Sequence, residues 1–475
     1  MEFGNQVKAY LDKSELINDA DKLDLPNLEN LPQGLKDVAS KIIKTTATWN
    51  PVELYTPSNV DEQKKIFLDA IHAGNVTNPV FEYSYAQRFE VGNSEEILMG
   101  LLTEVRRFKP EDRIGHLARV ALYFKLKDDL ATFNLAQGLK QKDDAIIAAA
   151  VRLKYPGLDD SLLQLALIDL DARIAGKETE QKTPTALSAQ EIQYLESQKY
   201  DDQQLADAFI WTLNEYGMLK TAESPDGFAV VISKEVTGVD VRDKSAQGPT
   251  IFIPQGKETD GITLLKLVGH EVEGHARQSV NGRKLFIIGG GPLRLDDEDL
   301  YEGLGKRYDD ELNMQLSGKD TGVPLPYYSF AVKSADEGRS FHDIFKNQVE
   351  LRTRVKLHKP FSEIVDISQL DPKDLSAIED AAWTTTYRVM RSHTDTTNRI
   401  AYGMPKDLAY LRGYHLDLEL KQKGIGYLNE LAVVQTGALQ LLAEFNLNES
   451  SLPLQYKNKA FEYWEKVMRP QMQTT

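Results

Sequence analysis

Two histidines five residues apart on one patterned helix, the first followed by a glutamate, constrain this chain more than any other feature. Residues 264–282 read LLKLVGHEVEGHARQSVNG, and His270, Glu271 and His275 stand there as H-E-x-x-x-H. Leu264, Leu267, Val268 and Val272 recur at three- and four-residue steps, the period of an amphipathic helix. Asp260 or Thr263 is placed to cap its start, and Asn281-Gly282 to stop it. Imidazole is the commonest metal-binding side chain, and a carboxylate beside one can act as a base. The familiar zinc helix sets its histidines four apart on one face. Five steps turn the second ring about 140° from the first at 3.6 residues per turn. Both rings reach one ion only if the helix takes in an extra residue, a π-bulge of the kind found at functional sites. Gly274 tolerates the backbone angles this asks for. The pattern predicts a distorted helix carrying a metal site; the bland alternative is three unrelated polar residues.

A catalytic site of this type needs a third protein ligand from a second element and an open position for water. The chain has no cysteine, so that ligand is His, Asp or Glu, and no disulfide forms. Glu302 is the candidate, in a Tyr301-Glu302-Gly303-Leu304-Gly305 run that opens a helix through Leu316. The helical wheel argues against it. Leu300, Leu304 and Tyr308 form an apolar line, with Glu302 about 200° round from Leu300. A helix buried on both sides removes the conflict, and Gly303 and Gly305 permit such packing. Glu298 and Glu273 rank below it, and a helix-start carboxylate favoured by the macrodipole is the plain alternative.

The 475 residues are ample for a buried catalytic core. Residues 1–75 read as a partly helical N-terminal extension and 76–475 as the catalytic body. Within the body, about 85–220 is helical, 225–316 holds a small sheet and the metal-binding helix, and 330–475 is helical again. The fold class is therefore α+β and predominantly helical. Short β-branched stretches at Phe228–Ser233, Val239–Arg242 and Thr250–Pro254 form the sheet ahead of the H-E helix. Its edge either holds a peptide by main-chain hydrogen bonds or is purely structural. Gly289 to Gly291 reads as a turn at the rim of the site, since no Lys-Ser/Thr follows to make a phosphate loop. Long helices are expected over Asp336–Leu357 and Asp374–Ser392. A net charge of −16 argues against duplex nucleic acid and anionic membrane as partners. Residues 1–20 lack a signal-peptide pattern, and the longest clean apolar run, Ala145 to Val151, is far short of a membrane span. The expectation is a cytoplasmic protein.

With these residues set out, the chain resembles the tyrosine carboxypeptidase family, whose prokaryotic relatives carry a QEGLA motif. The resemblance spans roughly Asn78 to the C-terminus. It rests on Gly269-HEVEGH-Ala276 followed by Asn281-Gly282, on the glycine loop, and on Tyr301–Gly305 at the place of QEGLA. Tyr387-Arg388-Val389-Met390-Arg391 looks like the family's R-V-x-R-G, and Lys406–Gly413 like its T-K-D-x-x-Y-L-x-G. Tyr301, Gly305, Ser392 and Pro405 depart from those patterns, which bears on the pocket rim and on substrate preference. The H-E-x-x-G-H hexad is also similar to that of dipeptidyl peptidase III.

The resemblance implies a zincin-like metallopeptidase core in which His270, His275 and Glu302 hold one zinc ion and Glu271 is the catalytic base. It implies a carboxypeptidase acting on peptide or protein C-termini, with an aromatic last residue (Tyr or Phe) preferred. A terminal carboxylate calls for a cation, and Arg388, Arg391, Lys406 and Arg412 are the candidates, Arg391 and Lys406 first. Tyr387, Tyr402 and Tyr410 either line an aromatic pocket or belong to the core, and Tyr410 is counted among the substrate-binding residues. The alternatives are a dipeptidyl peptidase or endopeptidase of the HExxxH type, and an inactive metal-stabilised protein that binds C-terminal tails.

Overall fold

Side-chain caps punctuate the fold. Asp143, Asp159, Ser188, Asp201, Asp260, Ser340 and Asp371 each accept a hydrogen bond from a first-turn N–H of the helix that follows. Such caps satisfy donors that have no partner within the helix. The Ser188/Glu191 and Asp201/Gln204 pairs close full capping boxes.

The computed structural model describes residues 56–57, 59–84, 135, 138–139, 141–176, 186–234, 236, 238–242, 248–285, 287–288, 291–292, 298–317, 326–393, 396–397, 401–424, 426, 429–430 and 454–473. The sequence pattern also predicts helices over 35–45, 94–108, 113–125, 128–139 and 428–445; the first three, and most of the last two, lie outside them.

The described part is predominantly helical with small sheets, an α+β arrangement. In chain order it begins with α1 (Val60–His72), α2 (Asp144–Lys154), α3 (Asp160–Ile174), α4 (Ala189–Ser197) and α5 (Asp202–Glu215). A three-stranded sheet follows, built from β1 (Ala229–Ser233), β2 (Asp240–Arg242) and β3 (Thr250–Pro254). Its order is β1-β3-β2, with β1 parallel and β2 antiparallel to the central β3. All five residues of β3 are buried, as its apolar Ile251-Phe252-Ile253 centre requires.

The next helix comes in three segments: α6 (Gly261–Leu267), a π-helical stretch (Val268–Ala276), and α7 (Arg277–Leu285). Asp260 is its cap, and it runs three residues past Gly282. Then come α8 (Glu298–Ser317), α9 (Tyr327–Asp336), α10 (Phe341–Lys356), α11 (Pro372–Met390) and α12 (Leu408–Gln422). The expected helix over 336–357 is corrected: Asp336 ends α9, and α10 starts only at Phe341. Gly338 takes a left-handed φ of 79° and Ser340 caps afresh, so the chain turns where the pattern looked continuous.

Two apolar clusters organise the body. In one, Leu264, Leu265, Val268, Val272 and Ala276 pack with Phe209 and Leu213 of α5, Ile251 and Ile253 of β3, and Trp464. This buries one side of the H-E helix against the sheet and α5. In the other, Phe67 meets Phe341, Phe345 and Trp383, binding α1 to α10 and α11. Among the described residues, no helix is long and apolar enough to cross a membrane.

Candidate metal centre

The π-helical stretch solves the five-step problem. Its i→i+5 bonding adds about one residue to the turn, so a five-residue interval does what four do on an α-helix. The His270 and His275 rings stand 4.7 Å apart at 89°. Ligand atoms of His270, Glu271 and His275 all lie within 4.8 Å of one another, a group that can hold a metal ion.

Helix α8 supplies the fourth side chain. It runs between the π-helical stretch and α12, in contact with both, so both of its sides are covered. The wheel conflict at Glu302 disappears, because α8 is packed on two sides rather than one. Glycines make the approach possible. A Cβ at Gly274 would stand 3.0 Å from the Gly305 Cα, and one at Gly303 would strike the Gly413 backbone of α12. Glu302 Oε2 consequently lies 3.6 Å from His270 Nε2 and 3.8 Å from His275 Nε2. That oxygen is buried and accepts no hydrogen bond among the described residues. Donor atoms of a tetrahedral zinc site are about 3.4 Å apart when the bonds are near 2.1 Å. The chemistry and the spacing of this donor set therefore fit a divalent ion.

Charge is concentrated here. Burial opposes protonation of His270, but Glu302, Glu271 and Asp309 outweigh it and raise its pKa to about 9. Burial raises Glu271 to about 8, helped by Glu302 and by Asp240 on β2, and opposed by His270 and Lys257. Strand β2, at the sheet edge, packs against the π-helical stretch.

The rival ligand Glu273 is employed elsewhere. It accepts hydrogen bonds from the Tyr216 hydroxyl and from the Lys459 and Ala460 amides, which anchors the H-E helix to the short helix Lys459–Tyr463. The side chain of Glu298 lies outside the described residues.

The cationic candidates fall into two groups. Arg388 and Arg391 converge on buried Asp407, at 3.3 and 3.6 Å. Arg388 also donates to the Tyr328 hydroxyl at 3.1 Å. Burial works against the Arg388 charge, yet Asp407, Tyr328 and Tyr410 together push its pKa up. Lys406 is half-buried beside Asp407 in sequence. Arg412, by contrast, donates to the Gly157 carbonyl at 2.9 Å. It sits about 200° round α12 from Tyr410.

The tyrosines separate as well. Tyr402 is core: its ring stacks on His393 and its hydroxyl donates to the Ser392 carbonyl. Tyr387 packs edge-on against Phe81. Tyr410 lies in the field of Glu302, which with burial raises its pKa well above the usual phenol value, so its hydroxyl stays a proton donor.

Two residues here were missed by sequence reasoning. Asp407 stands in the sequence only as part of the Lys406–Gly413 motif, and its partners Arg388 and Arg391 come from a distant helix. Tyr301 stacks on His275 and was noted only as a departure from a motif. No family model matches the chain, and no curated protein matches it.

Proposed function

We propose that this protein is a zinc-dependent metallo-carboxypeptidase with a zincin-like core, of the tyrosine carboxypeptidase type. One observation carries the reading: a π-helical turn aims His270 and His275 at the same Glu302 oxygen, which accepts no hydrogen bond among the described residues. Stretches distant in sequence also come together around that glutamate. Gly303 meets Gly413, and Arg388 and Arg391 meet Asp407, which joins three of the segments that carry the family resemblance.

His270, His275 and Glu302 hold the ion. A zinc ion there supplies Lewis acidity and lowers the pKa of water in the site. Glu271 takes the proton of the attacking water and delivers it to the departing amine nitrogen. Tyr410 donates a hydrogen bond to the developing oxyanion. Arg391 and Lys406 receive the terminal carboxylate, with Asp407 holding the arginine in place. An extended peptide can lie along the β2 edge.

The test pairs metal analysis with a peptide ending in tyrosine, presented as the free acid and as the C-terminal amide. The expected result is one zinc per chain and release of tyrosine from the acid only. Equal cleavage of both forms would rule out carboxylate recognition, and cleavage inside the peptide would make the enzyme an endopeptidase.

A further inference from the structure

His275 does not stand alone against the metal site. The Tyr301 ring lies parallel to it, 7° between planes and 3.5 Å between centroids. Planes in van der Waals contact are themselves about 3.5 Å apart, so the two rings overlap almost fully. That is the sandwich which two neutral aromatic rings avoid, because their quadrupoles repel; neutral pairs slide to an offset or turn edge-on. Full overlap is favourable when one ring is electron-poor. An imidazole that gives its Nε2 lone pair to a cation becomes so, and a phenol face then attracts it as it attracts any cation.

Resting on the metal-site reading above, we propose that Tyr301 is a positioning residue for the metal centre. It covers one face of His275, holds the ring plane so that Nε2 points at Glu302 Oε2, and stabilises the imidazole most when a metal draws charge from it. The stacked arrangement occupies the ring face and not the edge that carries Nε2. Tyr301 is also the residue before Glu302 on α8, so a single helix sets one ligand and braces another. His270 approaches His275 at 89°, so of these two rings it is Tyr301 that lies parallel and fixes the plane. Outer-shell residues of this sort orient ligands and tune affinity.

The experiment measures zinc affinity by competition with a chromophoric chelator, on the full-length chain. The variants are Tyr301→Phe, Tyr301→Leu, and pentafluorophenylalanine introduced at position 301. Phe keeps the π face and should bind within about threefold of the parent, whereas Leu should bind about tenfold more weakly or worse. The fluorinated ring keeps the shape but reverses the quadrupole, and should weaken zinc about fivefold relative to Phe. This comparison decides the matter if the Leu variant fails to fold, since a purely structural filler would not sense ring electronics. Parent protein that binds zinc, with Leu and fluorinated variants binding equally well, overturns this inference alone. A parent that binds no zinc removes the metal centre and this inference with it.

Discussion

A Cβ placed on Gly305 would stand 2.7 Å from the Cε1 of His270. The absence of a side chain on α8 is thus what lets the first histidine lie flat against that helix and face Glu302. Gly305→Ala should push the ring away. The backbone has little room to retreat, because Gly305 also touches Gly274 across the same interface. Zinc affinity should fall by about tenfold or more, the range seen when supports of a ligand are lost. A chelator competition titration reads it. Unchanged affinity would show that the ring has a second productive pose.

Gly303 presents a harder limit. The atoms that a Cβ would meet belong to the Gly413 backbone, with no flexible side chain to swing aside. Gly303→Ala must part α8 from α12. The expected cost is about 3 kcal/mol, the upper part of the range for overpacking. Chemical denaturation would show it as a lower midpoint at an unchanged slope.

Glu271 and Glu302 should separate cleanly under substitution. Glu302→Gln weakens the donor between the two imidazoles, so zinc content should drop together with activity. Glu271→Gln should keep zinc at one per chain and lower kcat by about 100-fold or more, the contribution typical of a general base. Metal analysis beside steady-state kinetics distinguishes them. A fully active Glu271→Gln enzyme would remove the proton-transfer role assigned to it.

Much of this site was legible in the residues because its chemistry is local. H-E-x-x-x-H, a glycine at 274 and a helical pattern together required a π distortion, and Val268–Ala276 has one. The three strands lie within a residue of their β-branched runs, and Asp260, one of the two caps expected, caps the H-E helix. What escaped was long-range. The wheel at Glu302 assumed that a helix has one buried side, whereas α8 is covered on two. Tyr387, Tyr402 and Tyr410 are alike on paper and differ only in what folds against them. Gly338 broke an apparent helix because one left-handed residue outweighs a good periodic pattern on either side.

Beneath the site lies a buried charge cluster whose pH response can be derived. Glu430 accepts from Arg277 at 2.8 Å, from Arg307 at 2.7 Å and from the Tyr308 hydroxyl at 2.8 Å. Arg277 belongs to α7, Arg307 and Tyr308 to α8, so this carboxylate ties the H-E helix to the helix bearing Glu302. Burial favours the neutral acid, but Arg277 and Arg307 outweigh it and hold Glu430 below its ordinary value of 4.5. A carboxylate depressed in the folded state contributes stability above its unfolded pKa, and that contribution drains away as pH falls through the folded value. Glu430→Gln should therefore destabilise by about 3 kcal/mol at neutral pH, where Arg307 keeps Asp417 but Arg277 loses its carboxylate partner. The gap in melting temperature between parent and variant should stay constant down to the region of 4.5, then narrow on further acidification. Thermal melts across that range would check it. A gap that persists undiminished in acid would mean that the loss comes from hydrogen-bond geometry rather than from charge.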